Sequence, residues 1–326
     1  MKVTAVPANN SLMPVYFQGR WVEKTIRGQR VMYSTNLGAE FWFRVDHASF
    51  VTLRLLNLAN DVSAWIAVQI DGLPYQRLAV ETLPWRLTLD GHRHVIRVVM
   101  SGNTDADQLW ATDAGFAVQT VTSDGELQAV RPGHHSVTFI GDSITAGCWV
   151  IPGRHAAVDY RAEGNYAAIA SDLLGLRDVR VAYSAAGVTW PGTGGVPPLP
   201  QVLTAIDDRT PWQPEPTDLV VVNVGTNDRR STAAEFAPQF AKFLRQIQRL
   251  YPVSAVAVMI PFNQRFAAVI SAVTQQVGAT LINTADWQPT TTDGVHVDAA
   301  GSRLAGQKLA AKLRKLYPEL LIIDSY

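Results

Sequence analysis

The chain has 326 residues, of which 47% are hydrophobic and 17% charged. That length exceeds one typical domain and that composition can bury a substantial core, so we expect two domains. Lysine plus arginine equals aspartate plus glutamate, at 28 each. No overall field would therefore attract nucleic acid or an anionic membrane, and a neutral substrate of small or medium size is favoured.

Cysteine content and the start of the chain bear on where the protein works. The single cysteine, Cys148, excludes an intramolecular disulfide framework. The first ten residues lack the apolar core of a secretion signal. Apolar stretches such as 253–262 are far shorter than the roughly 18 residues that span a bilayer. We expect a soluble, cytoplasmic protein, or a secreted one if a signal has been removed.

The N-terminal part of the chain has the pattern of an all-β domain. Short segments of alternating polarity, rich in β-branched and aromatic residues, are separated by turn residues, and no convincing amphipathic helix interrupts them. Examples of predicted strands are 40–45, 50–56, 65–70 and 94–100. The sequence therefore predicts a β-sandwich, of jelly-roll type, over residues 1–130.

The pattern changes near Pro132, after which apolar strands alternate with stretches of helical period. The predicted strands are 137–140, 179–183, 219–224, 255–260 and 280–282. Apolar residues at helical spacing from Phe236 to Leu250 predict one helix, and those from Leu304 to Leu316 predict a C-terminal helix that Pro318 ends. We predict an α/β domain over 131–326, with a parallel sheet covered by helices on both faces.

Three short motifs in this domain carry the residue types of a serine hydrolase. They are Gly-Asp-Ser at 141–143, Gly-Thr-Asn-Asp at 225–228 and Asp-Gly-Val-His at 293–296. A serine hydroxyl becomes a nucleophile when a histidine takes its proton, and a carboxylate orients that histidine. Ser143, His296 and Asp293 could fill these roles. Ser143 also follows a predicted strand directly, and parallel sheets of this kind bind ligands at the carboxyl ends of their strands.

Two further residues could stabilise an oxyanion. Asn227 follows the predicted strand 219–224, and its side-chain amide could donate to a carbonyl oxygen that becomes negative. Gly187 follows the strand that ends at residue 183, and without a Cβ its N–H could approach a substrate closely. Each motif alone also fits an ordinary turn or cap. Their joint occurrence, in order and each beside a strand end or helix start, favours catalysis.

These motifs resemble the four blocks of the SGNH, or GDSL-type, hydrolases, and the resemblance spans residues 134–316. The blocks are Gly-Asp-Ser-Ile-Thr-Ala-Gly at 141–147, Gly187 in Ser-Ala-Ala-Gly, the 225–228 motif and Asp293-x-x-His296. The resemblance implies a flavodoxin-like fold, Ser143 as nucleophile and a triad completed by Asp293 and His296. It also implies an oxyanion hole formed by the N–H groups of Ser143 and Gly187 and the side chain of Asn227.

An all-β leader joined to such a domain resembles carbohydrate esterase family 2. Members of that family are two-domain enzymes that remove O-acetyl groups from sugars, which implies an acetylated sugar or oligosaccharide as substrate and no cofactor. Trp149 and Trp190 lie a few residues beyond Ser143 and Gly187 and could form an aromatic wall against a sugar ring. Core packing is the alternative for both.

Other candidates are weaker. The pairs His134–His135 and His92/His94 lack acidic or cysteine partners at ligand spacing, so we predict no metal site. The glycine-rich stretch 192–195 lacks the lysine of a phosphate loop. Asp142 and Asp228 are expected to brace loops, and Cys148 to be a buried small residue.

Two other functions remain open at this point. One is an esterase, lipase or thioesterase for longer acyl chains, in which the β domain is only a scaffold. The other is a non-catalytic carbohydrate-binding protein, in which the β domain does the work. The complete set of nucleophile, base and oxyanion donors argues against the second, because a binding module has no use for it.

Overall fold

The computed structural model describes residues 2–59, 62–81, 83–103, 107–153 and 156–320. Two antiparallel sheets form the N-terminal part of the protein, and one parallel five-stranded sheet with helices forms the C-terminal part. The predicted fold class, an all-β sandwich followed by a flavodoxin-like α/β domain with a parallel sheet, is confirmed. None of the helices in the described ranges is long and apolar enough to cross a membrane.

Among the described residues, the sandwich consists of twelve strands. They are β1 (Val3–Ala5), β2 (Tyr16–Gln18), β3 (Val22–Ile26), β4 (Gln29–Ser34), β5 (Glu40–Asp46), β6 (Phe50–Leu56), β7 (Trp65–Ile70), β8 (Gln76–Ala79), β9 (Trp85–Thr88), β10 (His94–Gly102), β11 (Phe116–Ser123) and β12 (Glu126–Pro132). One sheet has the order β1-β12-β5-β10-β7-β8 with β2 also paired to β5, and the other has the order β3-β4-β11-β6-β9.

Alternation along these strands decides which side chains fill the core between the two sheets. In β6, Val51, Leu53 and Leu55 are buried, whereas Arg54 between them is exposed. In β5, Phe41 and Phe43 point into the same apolar cluster. Side chains two residues apart on a strand lie on one face, so the alternating polarity of the sequence places the apolar set inward.

The α/β part contains seven α-helices, a parallel sheet and a short hairpin among the described residues. Its elements are β13 (Ser136–Gly141), α1 (Ser143–Ala146), α2 (Ala156–Asp159), α3 (Tyr166–Leu174), β14 (Arg177–Ala182), α4 (Leu199–Val202), β15 (Ala205–Asp207), β16 (Thr210–Pro211), β17 (Leu219–Asn223), α5 (Ala233–Leu250), β18 (Ala255–Met259), α6 (Ala267–Gln276), β19 (Thr280–Ile282) and α7 (Ala299–Leu316). Short 3-10 turns span Ala162–Gly164 and Pro318–Leu320.

The parallel sheet has the order β14-β13-β17-β18-β19, the 2-1-3-4-5 order of flavodoxin-like folds. Its central strand β17 is buried throughout. Val220 and Val222 pack with side chains of α5 and α6, whereas Leu219 and Val221 pack with those of α3 and α7. Helices therefore cover both faces, which explains why the strand sequences are continuously apolar.

The two longest helices follow their sequence signals with one exception. Thr232 and Glu235 form a reciprocal capping box at the start of α5, and the helix buries an apolar face that includes Phe236 and Phe240. Helix α7 ends at Leu316, before Pro318. Leu304, which helped to predict α7, is 37% exposed and lies outside the core.

The sandwich and the α/β part share buried surface. Ala146, Cys148, Tyr160 and Ala182 of the α/β part belong to the same apolar cluster as the sandwich core. Strand β12 of the sandwich ends at Pro132 and β13 begins at Ser136. The predicted division at residues 130 and 131 thus lies within the last sandwich strand, and it stays a prediction.

A fully buried arginine links the two parts. The guanidinium of Arg20 donates to Asn36 Oδ1 at 3.1 Å, to the Tyr183 hydroxyl at 3.2 Å and to the carbonyl of Val202 at 2.7 Å. It also donates to the carbonyl of Ala205. The buried Nε of Arg20 has no partner among the described residues, but the bonds from its two terminal nitrogens hold the loops of the α/β part against the sandwich.

Candidate active site

The first feature of the site is a serine at the start of a helix. Strand β13 ends at Gly141, and the side chain of Asp142 caps α1 by accepting the N–H of Ile144 at 3.0 Å. Ser143 is the first residue of α1 and is 4% exposed. The strand, the cap and the short helix together fix the direction of the Ser143 side chain at the carboxyl edge of the sheet.

The structure brings Ser143, His296 and Asp293 together. His296 Nε2 lies 2.9 Å from Ser143 Oγ, and His296 Nδ1 lies 2.7 Å from Asp293 Oδ2. A hydrogen bond from Nδ1–H to a carboxylate fixes the tautomer and leaves Nε2 able to accept the serine proton. The arrangement is that of a nucleophile, a base and a residue that orients the base.

Backbone hydrogen bonds hold the carboxylate of this trio. Asp293 Oδ1 accepts the N–H of His296 at 2.8 Å and that of Val295 at 3.0 Å. Burial acts to raise the pKa of Asp293, but the hydrogen bonds from His296 and Val295 outweigh it and lower the pKa below its ordinary value. Asp293 therefore stays ionised at neutral pH. Its side chain is 49% exposed, and contact with water also favours the charged form.

Sequence reasoning missed a threonine that ties the histidine loop to the nucleophile segment. Thr292 Oγ1 donates to the carbonyl of Trp149 at 2.8 Å, and the Thr292 N–H donates to the carbonyl of His296 at 2.9 Å. Trp149 has a positive φ of 56°, and its ring centroid lies 6.3 Å from that of His296. The only sequence signal was a hydroxyl residue directly before the aspartate of the Asp-x-x-His motif.

The predicted oxyanion donors have different surroundings. The Ser143 N–H belongs to the first turn of α1, where N–H groups have no partner inside the helix. Asn227 Nδ2 donates one proton to the carbonyl of Ala186 at 3.1 Å, which holds its amide beside the 186–190 loop. A side-chain amide carries a second proton that can serve a substrate.

Gly187 differs from the expectation of an N–H open to substrate. Its N–H donates to the carbonyl of Trp190 at 2.9 Å, because the chain turns tightly after β14. In this conformation the Gly187 donor is occupied, and it reaches an oxyanion only if it leaves or shares that carbonyl. Its role in the oxyanion hole stays a prediction.

The glycine itself has a clear steric reason. A Cβ at position 187 would lie 2.8 Å from Asp228 Oδ1, closer than side chains tolerate. The Asp228 carboxylate occupies this space because it accepts the N–H groups of Val188 at 3.2 Å and Thr189 at 2.7 Å. Asp228 therefore braces the loop that carries Gly187.

Asp142 is a buried carboxyl beside the nucleophile. Burial, with the N–H of Ile144 acting against it and the charge of Asp228 acting with it, raises the pKa of Asp142 to about 7. Its hydrogen bond to Ile144 makes it the cap of α1. Its contacts are those of a residue that braces the nucleophile rather than one that meets substrate.

The sequence predicts no metal site at the histidine pairs His134–His135 and His92/His94. Among the described residues, no group of three or more His, Cys, Asp and Glu side chains is placed to hold a metal ion. Both ring nitrogens of His94 contact carboxylates, with Nδ1 2.6 Å from Asp71 and Nε2 2.8 Å from Asp90. His135 Nδ1 lies 3.3 Å from Asp218.

A model of the GDSL-like lipase/acylhydrolase family matches residues 139–304, just over half of the chain. The protein belongs to this family. The matched segment begins in β13, directly before Ser143, and extends beyond His296. A search of curated proteins found no match to the chain.

Solved structures of carbohydrate esterases share the fold of both parts of this GDSL-family chain. The family two carbohydrate esterase from Cellvibrio japonicus superposes with a TM-score of 0.78 at 15% identity, over 98% of this chain and 99% of that one. The corresponding enzyme from Clostridium thermocellum, in complex with cellohexaose, gives 0.75 at 16% identity, over 93% and 99%. An acetyl xylan esterase from Butyrivibrio proteoclasticus gives 0.74 at 17% identity, over 97% and 98%.

The resemblance predicted from the motifs is confirmed by the family match and by this two-part fold. Trp149 and Trp190, which were expected to form an aromatic wall against a sugar ring, are both half-buried. Trp149 packs edge-on against Tyr160, with ring centroids 5.5 Å apart, and lies on the His296 side. Trp190 lies in the loop after β14, and the guanidinium carbon of Arg230 sits 4.0 Å from its ring centroid.

Proposed function

We propose that the protein is a serine esterase that removes O-acetyl groups from carbohydrates through an acyl-enzyme intermediate. The observation that carries this proposal is the line of contacts from Ser143 Oγ to His296 Nε2, at 2.9 Å, and from His296 Nδ1 to Asp293, at 2.7 Å. Such a line activates a serine toward the carbonyl carbon of an ester.

The first half of the reaction acylates the serine. His296 Nε2 takes the Ser143 proton as Oγ bonds to the acetyl carbonyl carbon, and the carbonyl oxygen becomes an oxyanion. The Ser143 N–H and the Asn227 amide are the donors that stabilise this charge. The carbon–oxygen bond to the sugar then breaks, and the proton on His296 passes to the sugar alcohol as it leaves.

The second half returns the enzyme to its starting state. Water loses a proton to His296 Nε2 and attacks the acetyl carbon of the acyl-enzyme. The bond to Ser143 Oγ breaks, the serine recovers the proton from His296, and acetate is released. Asp293 stays ionised throughout and stabilises the positive charge that His296 carries in both steps.

Fold and site together support a carbohydrate substrate. The chain shares its two-part fold with carbohydrate esterases. Two indole rings are half-buried: Trp149, whose ring centroid lies 6.3 Å from that of His296, and Trp190, whose carbonyl accepts the Gly187 N–H. Aromatic faces of this kind suit the apolar faces of sugar rings, and a two-carbon acyl group demands little space beside Ser143.

Replacement of Ser143 by alanine tests the mechanism. We expect Ser143→Ala to reduce acetate release from an aryl acetate and from acetylated xylo-oligosaccharides by at least about 10³-fold, because the nucleophile is lost. Ser171→Ala is the matched control, since Ser171 is a buried serine of α3 that lies outside the site. Circular dichroism checks folding. Turnover retained by a folded Ser143→Ala protein would remove this serine from the mechanism.

The acyl preference needs a separate measurement. Rates on acetyl, butyryl and octanoyl esters of one alcohol separate an acetylesterase from an esterase or lipase for longer chains. We expect kcat/KM to fall as the acyl chain lengthens. A rise toward octanoyl would favour the longer-chain alternative, while leaving the serine mechanism in place.

A further inference from the structure

A tight turn places two arginines directly after the asparagine of the site. The Ser231 N–H donates to the carbonyl of Asp228 at 3.0 Å, which closes a turn with Arg229 and Arg230 at its corners. The Asp228 carboxylate accepts the N–H of Thr189 at 2.7 Å and so fixes the first residue of the turn to the 186–190 loop. Both arginine side chains are exposed.

Of these two arginines, Arg230 is the one that lies over an aromatic ring of the 186–190 loop. The Arg230 guanidinium carbon lies 4.0 Å from the centroid of the Trp190 ring. Stacking on an indole holds the planar group in place while its N–H edges stay available to a ligand. Among the described residues, Arg229 makes no such contact with an aromatic ring, although it is the neighbouring residue of the same turn and is also exposed.

Arg230 has no acidic partner among the side chains that the structure describes, whereas other arginines of the chain do. Arg180 pairs with Asp178 at 2.6 Å, and Arg97 pairs with Glu40 at the same distance. The nearest acid in sequence, Asp228, is already engaged, because its carboxylate accepts the N–H groups of Val188 and Thr189. The guanidinium is therefore an oriented positive charge with its hydrogen-bonding capacity open.

The platform under this charge is part of the site. The carbonyl of Trp190 accepts the Gly187 N–H at 2.9 Å, and Asn227 Nδ2 donates to Ala186 at 3.1 Å. Trp190 thus belongs to the loop that holds the predicted oxyanion donors. A group bound by Arg230, which is three residues along the chain from Asn227, would lie against the loop that carries Gly187.

We propose that Arg230, stacked on Trp190, binds a negatively charged group on the sugar, so that the substrates are O-acetylated acidic sugars. A guanidinium edge matches a carboxylate or a phosphate through two parallel N–H···O bonds. The chain as a whole has no net charge, so its composition favours a neutral substrate. Arg230 nevertheless supplies a local positive charge beside Trp190. The proposal rests on the esterase function proposed above.

Paired substrates test the charge preference. Acetate release is measured from an acetylated methyl glucoside, from the corresponding acetylated methyl glucuronoside and from an acetylated glucose phosphate. We expect wild-type kcat/KM to be about tenfold higher for the acidic sugars than for the neutral one at low ionic strength. The advantage falls as salt is added, because the contact is partly exposed to solvent.

Variants assign the preference to Arg230. We expect Arg230→Gln to lower the ratio of acidic to neutral kcat/KM about tenfold, and Arg230→Lys to retain part of it, because lysine keeps the charge without the planar fork. Arg229→Gln is the matched control and leaves the ratio unchanged. Equal ratios in wild type and Arg230→Gln, or equal losses in Arg229→Gln and Arg230→Gln, would overturn the proposal.

Two further arms locate the charge and separate this proposal from the proposed function. Neutral sugars carrying a succinyl ester put the carboxylate on the acyl group, and an advantage confined to them would contradict a sugar-side anion. Calorimetric binding of methyl glucuronoside against methyl glucoside reads the subsite without turnover. Wild-type binding that prefers the glucuronoside and is lost in Arg230→Gln supports the subsite even if no acetate is released, and no preference contradicts it.

Discussion

The buried Arg20 of the sandwich and the partly exposed His296 of the α/β part use their polar groups in different ways. In the sandwich, Arg20 is 0% exposed and meets acceptors on both sides of the boundary between the parts. At the edge of the parallel sheet, the His296 side chain is 16% exposed, and its two ring nitrogens contact Ser143, with which it could react, and Asp293, which orients it. Full enclosure and satisfaction indicate structure, whereas access with a directed partner indicates chemistry.

The same contrast holds for a second pair of groups. Arg97 of β10 is buried, pairs with Glu40 at 2.6 Å and reaches across to Asp172 of α3 at 2.9 Å. Arg230 is exposed and stacked on one indole. Arg20 and Arg97 of the sandwich therefore hold the α/β part in position, whereas Arg230 of the α/β part is left available to a ligand.

The largest effect on this comparison is expected from removing the buried arginine. Arg20→Met removes the guanidinium that donates to the carbonyls of Val202 and Ala205, so we expect the free energy of unfolding to fall by about 3 kcal/mol. Urea denaturation followed by circular dichroism measures it. Arg245→Met, at an exposed position of α5, should change stability by less than about 0.5 kcal/mol. Equal effects of both variants would show that Arg20 is not a clamp.

Asp142 gives a smaller, pH-dependent effect. Its pKa is about 7 in the folded protein, against about 3.9 for an exposed aspartate, so the folded state holds a proton that the unfolded state has lost between these values. The stability it contributes is complete below pH 4 and is lost as the pH rises to 7. Asp142→Asn cannot titrate and can still cap α1.

The measurement compares wild type with Asp142→Asn in urea at several pH values between 4 and 8. We expect the stability of the variant relative to wild type to rise with pH, by at most about 1.4 kcal/mol per pH unit, and to level off above pH 7. Parallel stability curves would mean that Asp142 does not carry this proton.

Thr292 should give the smallest effect of the three and sharpens the account of the site. Thr292→Val removes the hydroxyl that binds the Trp149 carbonyl and keeps the shape of the side chain. We expect kcat for an aryl acetate to fall five- to tenfold, about 1 kcal/mol, with little change in KM, because His296 is held less well against Ser143. Thr292→Ser keeps the hydroxyl and should retain most of the activity. Equal losses in both variants would refute a positioning role.

Local patterns predicted the elements because each depends on neighbouring residues. The predicted strand 280–282 coincides with β19, and 50–56 coincides with β6. The apolar face of α5 also follows from the spacing of its apolar residues alone. Leu304 was misleading for the same reason, since spacing marks a face but not whether anything packs against it.

Features that depend on long-range approach could not be predicted. The Arg20 bonds join residues more than 160 positions apart, to Tyr183 and Val202, and the Thr292 bond reaches back 143 positions to Trp149. The Gly187 N–H was predicted to face substrate because glycine permits close approach, whereas the fold pairs it with Trp190 three residues on. Composition and motif identify residue types, and only the tertiary fold decides which acceptor each donor meets.

The apolar cluster shared by Ala146, Cys148, Tyr160 and Ala182 with the sandwich also bears on how the protein is made. The ribosome delivers the twelve sandwich strands first, yet the side chains that complete their core arrive only when β14 has been synthesised. The emerging sandwich is therefore unfinished during translation. Removing either the sandwich or the α/β part would expose the apolar side chains that the two parts share.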